Sequence, residues 1–124
     1  MDKFLLISVG AIFGANARYW VGDWVAQRYG TAFPFGTMLI NLTGSLALGL
    51  FLALATERFL LDPRWRLVVA IGFLGGYTTY SSYTYESVNL MLTGQWVFGM
   101  LDLFGSAVLG AVAVTSGILI GRWL

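Results

Sequence analysis

The run Gly75-Gly76-Tyr77-Thr78-Thr79-Tyr80-Ser81-Ser82-Tyr83-Thr84-Tyr85-Glu86 gathers hydroxyls and four of the chain's six tyrosines inside an otherwise apolar stretch from Leu67 to Leu92. Such side chains donate hydrogen bonds without a formal positive charge, and the chemistry open to them is to replace the water around an ion. Facing lipid they would be costly, because polar groups at membrane depth have to be paired internally or line a watery cavity. The run therefore marks a permeation or binding site.

Within it, Gly75-Gly76 predicts a helix break, since glycine is about 1 kcal/mol worse than alanine in a helix interior and opens non-helical dihedrals. A break leaves two half-helices. The first ends in unpaired carbonyls that attract a cation, and the second begins with unpaired N–H groups around Thr78, Thr79 and Tyr80 that attract an anion. The structural alternative is a simple kink patched by threonine hydroxyls. Beyond the break, Tyr80 and Tyr83 share one helix face and Ser82 and Glu86 another. Aromatic edges carry the positive part of the ring quadrupole and can touch an anion. Packing against a neighbouring helix is the other use of tyrosine, and it is the one we expect for Tyr77 and Tyr85.

A second polar stripe, Thr37, Asn41 and Ser45 at spacings of four, lies beside Gly36 and Gly44. The Asn41 amide can donate to an anion at membrane depth or serve as glue between helices. Farther on, Ser106 adds a hydroxyl, and Asp102 is placed at the membrane end as an interfacial residue. The candidate pathway thus holds hydroxyls, an amide, ring edges and backbone N–H groups, with one carboxylate, Glu86, and one off-centre cation, Arg18. Neutral donors suit an anion: they replace its water without the deep trap of a buried arginine.

The elements that must hold these residues are transmembrane helices. The chain has 124 residues, is 58% hydrophobic, and carries seven basic and six acidic side chains. Four apolar segments, roughly Phe4 to Val25, Phe35 to Thr56, Trp65 to Leu92 and Trp96 to Trp123, each reach the ~20 residues that cross a bilayer core. The expectation is one all-α, multi-pass domain over residues 1–124, embedded in a lipid bilayer. Trp24, Trp65, Trp96 and Trp123 fall near segment ends, where amphipathic aromatics meet the headgroups. Lys3 with an apolar run and Ala15-Asn16-Ala17 imitates a signal peptide, which we read instead as a retained first helix. Gly10 and Gly14, Ser106 and Gly110, and Gly117 and Gly121 have the spacing of close helix packing.

A net charge of +1 without a basic run argues against nucleic acid as a partner. With no histidine or cysteine, and with Glu86 taken as the sole embedded acid, no acid–base pair is available and enzyme activity is not expected. An even number of spans puts both termini on one side, and Lys3, Arg58, Arg64, Arg66 and Arg122 tilt that side toward the cytoplasm.

The chain resembles the Fluc, or CrcB-type, fluoride channels over its whole length. The resemblance shows in Gly14-Ala15-Asn16-Ala17-Arg18-Tyr19, in Gly36-Thr37 followed by Asn41 and Gly44, and most specifically in Gly75 through Glu86. It implies a passive, selective fluoride channel of the cell inner membrane, built as a dual-topology homodimer of two oppositely oriented four-helix subunits. Two fluoride pathways and a central structural Na+ are implied with it. The carbonyls of Gly75 and Thr78 would hold the sodium. Asn41, Thr79, Tyr80, Ser81, Ser82, Tyr83 and Ser106 would line or support the fluoride path, with Glu86 in a polar track and Arg18 at the aqueous vestibule. The family usually carries phenylalanine where this chain has Tyr80 and Tyr83, so phenol O–H groups replace or assist ring edges here. Its dual topology also stands against the one-sided tilt of the basic residues. Two rivals remain: a small multidrug-type exporter, which needs a membrane-embedded glutamate that the first helix lacks, and a non-transporting assembly subunit with a dry hydroxyl face.

Overall fold

The computed structural model describes residues 2–124, and among them every regular element is helical. Helix α1 covers Asp2–Tyr29 and α2 covers Phe35–Arg58, its last turn, Leu54–Arg58, wound as a π-helix. The third segment comes in two pieces: α3, residues 63–77, and α4, Tyr80–Leu92. Helix α5, Trp96–Trp123, closes the chain. By length and composition α1, α2 and α5 can each cross a membrane. They have to be helices there, because a spanning segment must satisfy its own backbone.

The connections are short. Gly30, at φ +75°, ends α1 in the left-handed conformation that glycine adopts without a Cβ penalty, and Gly94, at φ +91°, turns the chain between α4 and α5. Asp62 starts α3: its side chain accepts the Arg64 N–H at 2.9 Å, and Pro63 fills the first helical position, where its missing N–H costs nothing.

Two glycine seams hold the bundle. Gly10 and Gly14 of α1 lie buried against the backbone of α3, so that a Cβ on either would run into the carbonyl oxygen of Val68 or Phe73. From the other side a Cβ on Gly72 would stand 2.6 Å from the Ile7 carbonyl oxygen, and one on Gly76 3.2 Å from that of Ala11. In the second seam, Gly49 of α2 meets the Val114 backbone of α5, while Gly117 and Gly121 of α5 meet Leu46, Leu50 and Ala53. Small residues thus do here what their spacing suggests. Gly110 is the looser case, with only the Ser45 hydroxyl at 4.0 Å from a built Cβ.

The break differs from expectation in position. Gly75-Gly76 is still helical, and the chain leaves the helix at Thr78 (φ −79°, ψ 156°) and Thr79 (φ −146°, ψ 119°). Glycine makes a break cheap but supplies no partner for the freed backbone. The partner stands opposite Thr79, and that is where the helix opens.

Candidate ion pathway

Asn41 of α2 holds the break as a neighbouring β-strand would. Its Nδ2 donates to the Thr79 carbonyl at 2.9 Å, and its Oδ1 accepts the Thr79 N–H at 2.8 Å. Leaving those two backbone groups unpaired would cost on the order of 1–3 kcal/mol each. Of the two readings of Asn41, the glue between helices is the one this pairing bears on: one Nδ2 proton is committed to Thr79, and the second forms no hydrogen bond among the described residues. Thr79 also caps α4, its Oγ1 accepting the Ser82 N–H at 3.2 Å. Upstream, the Thr78 Oγ1 and N–H both donate to the Leu74 carbonyl, at 2.9 and 3.0 Å. The Arg18 Nε donates to the Gly76 carbonyl at 3.1 Å, which places a cation at the negative end of α3.

Two clefts open on this junction. The first, about 630 Å³, is walled by α1, the loop after it, the start of α2 and α4, and includes Arg18, Thr37, Thr79, Ser82 and Glu86. There the Thr37 hydroxyl donates to Glu86 Oε1 at 2.9 Å, while Glu86 Oε2 is buried with no partner among the described residues. The second, about 540 Å³, lies between α2, the break and α5 and includes Asn41, Thr78, Thr79, Tyr80, Tyr83 and Ser106. Thr79 is the residue common to both. The two clefts thus share the backbone position that Asn41 holds, one side chain bonded to one residue.

The helix faces fall as their spacing requires. Ser82 and Glu86 look into the first cleft. Tyr80 and Tyr83 border the second with ring centroids 5.9 Å apart, edge to face. The Tyr83 hydroxyl donates to the Leu103 carbonyl on α5, whereas Tyr80 is 77% exposed. Tyr77 packs as expected, stacked on Phe73 with its hydroxyl 2.9 Å from that of Thr43. Tyr85 does not: it is 71% exposed. Ser81 is exposed on the outer face of α4 and borders neither cleft, because consecutive residues of a helix do not share a face.

One assignment is reversed. Asp102, expected at the membrane interface, is 2% exposed and hydrogen bonded to Ser87 at 2.6 Å and Ser106 at 3.1 Å, so Glu86 is not the sole embedded acid. Ser87, itself fully buried, was invisible in the sequence as anything but one more hydroxyl. The available signal was its position one turn beyond Tyr83, on the face that meets α5.

The family model described as "CrcB-like protein, Camphor Resistance (CrcB)" matches residues 5–118. The chain belongs to that family. Relatives from the same group carry the name "Fluoride-specific ion channel FluC". The one from Koribacter versatilis is 49% identical, over 94% of this chain and 97% of its own. The one from Chloroflexus aurantiacus is 46% identical, over 99% and 98%. That from Sulfurihydrogenibium sp. is 43% identical over the full length of both chains. The polar break and its two clefts are thus features of a CrcB-family membrane protein.

Proposed function

We propose that the chain is a passive, selective fluoride channel, not an enzyme, which lets fluoride leave the cytoplasm down its electrochemical gradient across the inner membrane. The observation that carries this reading is the Asn41–Thr79 pair, where two clefts meet at a helix opening and neutral donors surround the junction. An anion arriving from the first cleft meets Arg18, Ser82 and the hydroxyl of Thr79. Leaving through the second, it meets the spare Asn41 amide proton and the rings of Tyr80 and Tyr83. Glu86, bonded to Thr37, occupies the polar side of the first cleft. The relatives' printed name supports fluoride as the ion.

The exposure of Tyr80 at the mouth of the second cleft supports a partner there, and we propose a second copy of the chain in opposite orientation. The same arrangement supports a structural Na+, which we propose with it. Because the Thr79 N–H pairs with Asn41, the Gly75 carbonyl loses its helical i+4 donor, and the extended Thr78 turns its own carbonyl out of the helix. Neutral oxygens of this kind fit a hard cation, and two copies would bring four of them together. Bound there, sodium would supply the positive charge that holds two broken helices side by side.

Proteoliposomes loaded with fluoride or chloride test the reading with an ion-selective electrode. Fluoride release without chloride release is the expected outcome. Proton-coupled efflux of a quaternary amine would assign the chain to the exporters, and no flux at all would leave an assembly subunit.

A further inference from the structure

Asp102 borders neither cleft and has no part in the reading above, yet it is one of the most deeply buried polar side chains in the described structure. Its Oδ1 accepts the Ser106 hydroxyl at 3.1 Å, and its Oδ2 lies 2.6 Å from the Ser87 Oγ, which also reaches the Tyr83 carbonyl at 2.9 Å. No Lys or Arg forms an ion pair with it among the described residues. Keeping an acid in such a place is expensive, and serine hydroxyls are all that offset it.

Ser106 is the side chain bonded to Asp102 that also borders the second cleft. A serine hydroxyl has one proton and two lone pairs. With the proton on Asp102, Ser106 turns lone pairs toward the cleft, and lone pairs repel an anion where a donor would attract it. We propose that Asp102 is a positioning residue: by holding the Ser106 hydroxyl proton it withdraws one donor from the second cleft and slows the passage of the anion. The inference rests on the fluoride-channel reading and adds to it a residue that acts on the pathway through another.

Ser87 makes the idea separable from folding. The single Ser87 hydroxyl proton lies between Asp102 Oδ2 and the Tyr83 carbonyl, so if the carboxyl group is removed Ser87 still has that carbonyl as its acceptor, and of the two serines Ser106 alone loses its acceptor. Asp102→Ala, and Asp102→Val, which refills part of the space, are both expected to raise fluoride efflux about threefold or more at fluoride below saturation. In a Ser106→Ala background neither should add anything to the rate of Ser106→Ala alone. A gain that survives Ser106→Ala would assign the effect to the acid's charge and overturn the proposal, as would an unchanged or lower rate in both folded variants. Failure of both to fold would make Asp102 a structural residue and overturn it equally. Wild-type vesicles that release no fluoride would sink the channel reading as well, whereas wild-type release with unresponsive Asp102 variants sinks only this inference.

Discussion

Two contacts of the third segment solve opposite problems. Along α3, Gly10, Gly14 and Gly72 bring backbone against backbone and leave no room for a methyl group. Two residues past the end of α3, at Thr79, the backbone stands off from α2, and a side chain, Asn41, reaches across to pair with it. The first contact is dry and fixes where the segment runs. The second is polar and fixes where it opens. Without a hydrophobic drive between helices in lipid, close packing has to supply the rigidity that lets a single amide hold an interruption.

The largest effect is expected at the dry contact. Gly14→Val forces a branched side chain into the Phe73 backbone, which cannot yield, and no stable protein is expected. The readout is the yield of monodisperse protein on size-exclusion chromatography in detergent. On the polar side, Asn41→Ala leaves both Thr79 backbone groups without partners. A stability loss of about 2–4 kcal/mol and a fluoride flux reduced by about two orders of magnitude are expected. Thermal unfolding in detergent and vesicle efflux check the two, and full flux would remove Asn41 from the pathway. Asn41→Asp keeps the acceptor, loses the donor and adds negative charge. It should recover part of the stability and none of the flux.

Smaller effects sharpen the same contrast. Tyr83→Phe removes the bond to the Leu103 carbonyl at a cost of about 1 kcal/mol, read as a lower unfolding temperature. Tyr80→Phe, whose ring stands exposed on this chain, should leave that temperature in place. Last comes the Glu57–Arg122 pair, at 2.9 Å between the ends of α2 and α5 and open to solvent. Exposed pairs contribute little, so Glu57→Gln is expected to change neither unfolding nor flux.

Much of this was legible before any coordinates. Helix lengths follow from apolar runs, and the seams from Gly10, Gly14, Gly117 and Gly121. The shared faces of Tyr80 with Tyr83 and of Ser82 with Glu86 follow from a period of 3.6 residues. What escaped the sequence was decided by partners distant along the chain. The break lies at Thr78-Thr79 because of Asn41, 38 residues earlier. Asp102 is buried because Ser87, 15 residues earlier, meets it across two helices. Ser81 belongs to the polar run by adjacency alone, and adjacency in a helix points side chains apart.

The π-helical winding of α3 over Arg66–Leu74 carries one more consequence. Each helical residue turns the chain by a fixed angle, about 100° in an α-helix and less in the wider π winding, so the residues between the Gly10–Gly72 contact and Thr79 act as a phase setting. Deleting or inserting one residue there would swing the threonines away from α2 while leaving hydrophobicity and length almost untouched. The loop at 59–62 can absorb such a change and this stretch cannot. Tolerance to single-residue insertion should therefore drop sharply on passing from the loop into α3, a boundary drawn by angle and not by composition.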